Sequence, residues 1–198
     1  MYSRVRFLVS QLSQCSKTSV LQRAQKAGLK TILDLVSEDG DRFTQIVRPA
    51  LKFCDYCVVN EFEAERTTGI EIVREGRVDL DAACKAAKEL LAAGVREWVA
   101  IHFPGGAIAA GSSGRELAQA SINMPQECIA GTVGAGDAFA AGMLLGLHED
   151  EPIEVALTYG VCAAAASLLD PTSTNGVKPL SECLNLVEEF GYRPTLKL

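Results

Sequence analysis

The chain has 198 residues, 48% hydrophobic and 22% charged, with a formal net charge of -6. That is enough for one domain with a real core, and the acidic balance excludes a nucleic-acid-binding surface, which needs a dense basic patch. The longest apolar stretch, Val155–Leu169, is broken by Thr158, Gly160 and Ser167; it is too short and mixed to span a bilayer, so no membrane partner is expected.

The chain opens with Arg4, Arg6, Lys17, Arg23, Lys26 and Lys30, and has no acid before Asp34. That composition resembles a mitochondrial targeting segment. Val20, Leu21 and Ala24 at helical spacing, with Gly28 as C-cap, instead read as a helix over Lys17–Ala27. Met1–Ser16 is given no element. Leu29–Leu35 reads as a strand, and Asp41–Leu51 as a helix interrupted at Pro49. Tyr56–Asn60 is a second strand, followed by a short helix over Glu61–Thr68 capped by Gly69. Asp79 can N-cap a helix running to Ala93 and closed by Gly94. Glu97–His102 is a third strand, and Ala107–Ala110 and Ala118–Ile122 are short antiparallel strands. Helices follow over Asp137–Leu147, Ile153–Leu169 and Ser181–Glu189.

Strands alternating with helices of this length predict an α/β fold, a parallel sheet covered by helices on both faces. Ligands of such sheets sit beyond the carboxyl ends of the strands, where Asp34, Asn60 and His102 fall.

Seven cysteines are scattered along the chain without the framework of a secreted domain, so reduced thiols and a cytoplasmic location are expected. Cys54 and Cys57 form a lone Cys-x-x-Cys. Residues three apart in a strand face opposite sides, and no second pair completes a zinc site. Structural thiols are therefore expected.

The informative segment is Gly131-Thr132-Val133-Gly134-Ala135-Gly136-Asp137-Ala138-Phe139-Ala140-Ala141-Gly142, a glycine-rich turn running into a helix. Small residues let backbone amides point inward, and the helix N-terminus adds partial positive charge, which together make an anion cradle. Gly131 and Gly136 have the spacing of a Walker A loop, but Asp137 and Ala138 stand where Lys and Ser or Thr are required. Gly134 and Gly136 begin a dinucleotide fingerprint, but Phe139 occupies the third glycine position. What remains is a carboxylate at the mouth of an anion hole. Its expected role is general base: Asp137 takes the proton of a substrate hydroxyl that attacks a γ-phosphoryl group, while the amides of Gly134, Ala135 and Gly136 stabilise the phosphoryl oxygens. The plain alternative makes Asp137 a helix cap and the glycines a mere turn.

The segment resembles the signature of the ribokinase-like (PfkB) sugar kinases, Asp-Thr-x-Gly-Ala-Gly-Asp-x-Phe-x-x-Gly, at every fixed position except Gly131. Asn60-Glu61-Phe62-Glu63 resembles the family's Asn-x-x-Glu. Val99–Ala107 resembles the strand and glycine turn along the nucleotide, with Gly105-Gly106 spaced differently from the commonest form. Cys162-Ala163-Ala164-Ala165-Ala166 resembles the alanine-rich helix start that flanks adenine.

The resemblance implies ATP and Mg2+ as cofactors and a sugar or sugar-like acceptor. Asp137 is then the base, and Asn60 and Glu63 organise magnesium and phosphate. Thr132, Gly105, Gly106, Cys162 and Ala163 contact the nucleotide. Gly131 stands where many members carry an acid supporting a monovalent cation, which leaves potassium dependence without its usual ligand. It makes residues 17–198 one ribokinase-like domain, expected to lack the family's first strands and lid. A homo-oligomer or a partner chain is expected to cover the sheet edge this leaves open. A second reading keeps the scaffold as a catalytically silent nucleotide-binding or interaction protein.

Overall fold

The computed structural model describes residues 7–9, 17–35 and 42–198. Its main sheet has the strand order β1-β2-β3-β6-β7-β8, where β1 is Phe7–Val9, β2 Lys30–Asp34, β3 Tyr56–Asn60, β6 Trp98–Phe103, β7 Gly106–Gly111 and β8 Glu116–Ala120. Two short strands, β4 (Val73–Arg74) and β5 (Arg77–Val78), form a separate antiparallel hairpin. The first four strands of the main sheet pair in parallel. Tyr56, Cys57, Val58 and Val59 are all buried, as expected of a parallel strand covered on both sides.

The helices of this half are α1 (Lys17–Lys26), α2 (Arg42–Leu51), α3 (Glu61–Thr68) and α4 (Leu80–Ala92). The strands step across the sheet in chain order, and right-handed crossovers in one direction put all the connecting helices on one face. Contacts of α1 with α2, α2 with α3 and α3 with α4 fit that placement. The helix α2 runs through Pro49 to Leu51 rather than stopping there. Proline in a last turn removes one backbone hydrogen bond but need not break the helix. Asp41 and most of residues 1–16 lie outside the described residues. The exception is β1, which pairs with β2 in a stretch where the sequence reading places no element.

A polar network fixes the amino-terminal ends of the parallel strands. Asp55 is buried, with Arg96 Nη2 2.6 Å from its Oδ1. The Thr31 amide donates to Asp55 Oδ2 at 2.7 Å. Beside it, Glu97 pairs with Lys30 and accepts a 2.6 Å hydrogen bond from the Tyr56 hydroxyl. Removing Arg96 would leave the buried Asp55 carboxylate with the Thr31 amide and hydroxyl as its donors.

The chain divides into two compact units, and the elements above belong mainly to the first. The second comprises Pro104–Ala107 and Ala118–Lys197. It contains a 3-10 turn at Gln126–Cys128 and the helices α5 (Ala135–His148), α6 (Ile153–Ser167) and α7 (Leu180–Phe190). Backbone meets backbone between α5 and α6. A Cβ added to Gly142 would lie 2.4 Å from the Tyr159 carbonyl oxygen, and one on Gly146 would lie 2.7 Å from Ala156 Cα. From the other side, a Cβ on Gly160 would meet the Phe139 ring at 2.8 Å.

Among the described residues, no helix is long and apolar enough to cross a membrane. The six described cysteines are all free. Burial pushes the Cys54 thiol up to about 12 and the Cys57 thiol well above its usual value. Cys54 donates to the Ala50 carbonyl at 3.3 Å. Both thiols are protonated core groups, as expected.

Candidate active site

The second unit carries the glycine-rich turn. Gly134 is the N-cap of α5, in a left-handed conformation (φ +84), and no side chain caps the helix. A Cβ there would lie 2.4 Å from the Ser173 carbonyl oxygen, so both conformation and space demand glycine. The turn lies against the loop that follows α6: the Ala130 amide donates to the Leu168 carbonyl at 2.8 Å, and a Cβ on Gly131 would meet Pro171 at 3.0 Å. That loop is held by Asp170, which accepts from the Thr172 amide at 2.8 Å and the Thr172 hydroxyl at 2.6 Å. These bonds hold the exposed Asp170 carboxyl below its ordinary range.

The other capped helices show what α5 lacks. The Asp79 side chain accepts from the Ala82 amide at the start of α4. Asn60 and Glu63 form a reciprocal capping box on α3. The first amides of a helix have no intrahelical acceptor. In α5 only the Ala135 amide has a turn partner, the Thr132 carbonyl at 3.3 Å. A 14-residue helix therefore presents its positive end without a capping oxygen, an arrangement suited to an anion. Asp137 sits in that first turn with its carboxylate exposed, inside the helix rather than at the cap. This disposes of the plain alternative in which Asp137 is the cap. Thr132 and Val133 are exposed, while Ala135 and Gly136 are half-buried.

Asn60 and Glu63 lie in the first unit, where β3 hands over to α3. Asn60 Oδ1 accepts from the Glu63 amide at 2.8 Å, and Glu63 Oε2 accepts from the Asn60 amide at 2.9 Å. Such a box is worth on the order of 1 kcal/mol to the helix. Glu63 is only 3% exposed. Asn60 is level with His102 across the sheet, whereas Asp34 is level with Val58. Among the described residues no group of three or more His, Cys, Asp or Glu could hold a metal ion.

His102 is pushed down from 6.5 to about 4 by burial. The unfolded chain therefore binds this proton more readily than the folded one. Stability contributed by the neutral imidazole is complete above pH 6.5 and is lost as the pH falls from there towards 4. Acid titration of unfolding should show that slope, and His102→Gln should flatten it; an unchanged slope would remove His102 as its source.

The remaining sequence-predicted residues all lie in the second unit. Gly105 and Gly106 make the turn into β7, where the Gly105 carbonyl accepts from the Ser121 amide at 3.0 Å. A Cβ on Gly106 (φ +149) would sit 2.2 Å from the Gln119 carbonyl oxygen. Cys162 and Ala163 are buried in α6, with the Ala163 methyl directed at Gly142 and the Cys162 thiol pushed up to about 12 by burial. Their side chains serve packing. The loop Asp170–Ser173 that backs the glycine turn has no part in the sequence reading, although its Asp-Pro-Thr-Ser run is a strong turn signal.

The chain is similar in structure to several solved kinases. Against Arabidopsis thaliana ribokinase, solved with ribose and ATP, the TM-score is 0.77 at 22% identity, covering 92% of this chain and 55% of that one. Against ribokinase from Thermotoga maritima it is 0.73 at 19%, covering 94% and 57%. Against phosphofructokinase-2 from Escherichia coli, solved with potassium, it is 0.73 at 21%, covering 92% and 56%. The chain thus spans little more than half the length of these proteins, and at such identities the likeness establishes the fold, a mostly parallel ribokinase-like α/β sheet with helices. The sequence profile described as pfkB family carbohydrate kinase matches residues 2–179, a span that takes in both β1 and the glycine-rich turn, and the chain belongs to that family.

Proposed function

We propose that the chain binds ATP and serves the transfer of its γ-phosphoryl group to a hydroxyl of a sugar or sugar-like molecule. The observation that carries this is the uncapped start of α5, where left-handed Gly134 precedes open amides and the exposed Asp137 carboxylate. Asp137 accepts the proton of the acceptor hydroxyl as that oxygen bonds to the γ-phosphorus. The bond from phosphorus to the bridging oxygen breaks, and ADP leaves. The amides of Gly134, Ala135 and Gly136 hold the charge that gathers on the phosphoryl oxygens.

Magnesium, when bound, would neutralise charge on the nucleotide phosphates. Ions of this kind keep several waters and take one or two protein carboxylates. Asn60 and Glu63 are the residues proposed to hold it, and Glu63 already commits Oε2 to the cap. A cytoplasmic location and dependence on a partner or second copy belong to the same proposal.

The test is a panel of sugars and nucleosides with ATP, followed by coupled detection of ADP and phosphorylated product. Elements that would seat a sugar are not recognisable in these 198 residues, and in-line transfer depends on holding the acceptor. This polypeptide alone is therefore expected to show slow ATP hydrolysis and little sugar phosphorylation. Rapid phosphorylation of one sugar by the chain alone would show that it supplies the acceptor site itself. No ATP binding at all would overturn this reading and leave an interaction protein on the same scaffold.

A further inference from the structure

Residues 168–177 leave the last turn of α6 and come back to it. At the return, Gly176 is buried, and a Cβ there would lie 2.8 Å from the Ala166 and Ser167 carbonyl oxygens. At the departure, the Leu168 carbonyl accepts from the Ala130 amide at 2.8 Å and the Gly131 amide at 3.4 Å. Between these anchors residues 171–175 are exposed, so hydrogen bonds rather than packing fix the loop. Asp170 Oδ1 accepts twice from Thr172, from its hydroxyl at 2.6 Å and its amide at 2.8 Å. With its proton given to Asp170, the Thr172 oxygen is left to accept, and the Asn175 amide donates to it at 3.2 Å. Thr172 also stands between the two residues that touch the glycine turn. Pro171 Cα lies 3.0 Å from where a Cβ on Gly131 would be, and the Ser173 carbonyl oxygen 2.4 Å from where one on Gly134 would be. Backbone atoms make the nearest contact in both cases, at the two ends of the turn.

We infer that Asp170 and Thr172 are positioning residues for the phosphate cradle: their paired bonds hold residues 171 and 173 against both ends of the glycine turn and so fix the direction of its amides. The inference rests on the ATP-binding reading above. Asp170 and Thr172 act only through the turn. Without the Asp170 acceptor the loop is free to take other conformations, and the turn loses its backing at Gly131 and Gly134 together. The fraction of molecules with the amides of Gly134, Ala135 and Gly136 aimed at phosphate then falls. Apparent affinity weakens by the same factor.

The test measures ATP binding by calorimetry, in the presence of magnesium, together with melting temperature, for the 198-residue chain and its variants. Asp170→Ala and Thr172→Val should each weaken binding about three- to tenfold, the effect of a lost hydrogen bond. Removing a negative charge near a phosphate site would by itself tighten binding, so a loss has the sign of positioning. Asp170→Asn keeps an acceptor oxygen for Thr172, and Thr172→Ser keeps the hydroxyl; both should recover binding to within about twofold. Gly114→Val separates positioning from stability, because it strains a turn of the other compact unit. It should lose melting temperature and keep ATP affinity. The positioning role is overturned, with the kinase reading left standing, by any of three results. Asp170→Ala could bind within about twofold of the unaltered chain or more tightly, Asp170→Asn could lose as much as Asp170→Ala, or Gly114→Val could lose affinity to the same degree. Failure of the unaltered chain to bind ATP overturns the kinase reading and the positioning role with it.

Discussion

Asp137→Asn is expected to lower the rate of phosphoryl transfer by about 10²–10⁴-fold, the usual worth of a positioned general base. The measurement belongs in the phosphorylating system, with the chain supplemented by whatever completes acceptor binding. Nucleotide affinity should change little, because the carboxylate contributes no hydrogen-bond donor to the phosphates and the amide is nearly the same size. Helix stability should also hold, since Asp137 sits within α5 and makes no cap bond. The decisive pattern is a fall in kcat with little change in ATP dissociation constant. Near-normal turnover by the Asn variant would remove Asp137 from the chemistry and leave the turn as a binding element only.

Gly134→Val is expected to abolish ATP binding within the range of calorimetry and to lower the melting temperature. Two independent effects combine. The left-handed backbone at Gly134 (φ +84) is a genuine outlier for a β-branched residue. Its Cβ would also meet the backbone of Ser173, at 2.4 Å from the carbonyl oxygen and 2.8 Å from Cα. Backbone atoms do not swing aside as a side-chain tip would, so the turn or the loop must shift. Gly114→Val provides the control: it has a similar left-handed conformation (φ +87) with nothing within 4 Å of its Cβ. It should lose stability without losing ATP affinity. Equal ATP affinity in Gly134→Val and the unaltered chain would show that this turn does not cradle phosphate.

Much of the scaffold that carries these residues is legible because its signals are local. Asn60 with Glu63 three residues on, and Gly69 at the far end, spell out α3 before any tertiary contact is known, and its bounds match the structure. The glycine run before Asp137 likewise forces its own turn. Elements with too few residues to show a period are not legible. The strand β1 has three residues and β4 and β5 two each, so pairing rather than pattern creates them. The hairpin of β4 and β5 turns on Glu75 and Gly76, both at positive φ, and Glu75 gives no hint of it. The side-chain directions of Cys162 and Ala163 were hidden for a different reason. Most of α6 is apolar, and its buried residues surround the axis, so no stripe says which way a residue points. The loop backing the glycine turn became visible only through the space it takes from Gly131 and Gly134.

Gly142, Gly146 and Gly160 bring the backbones of α5 and α6 together without side-chain padding. Ordinary helix pairs absorb small disturbances by rotamer changes in the layer between them, and this pair has little such layer. A side chain enlarged at a position facing these glycines therefore meets backbone and must shift α5 or α6 itself. Asp137 stands in the first turn of α5, and for the general base proposed above a displacement of about 1 Å can cost about a hundredfold in rate. Substitutions well removed from the carboxylate, at positions facing these three glycines, should thus be felt as lost turnover before they are felt as unfolding.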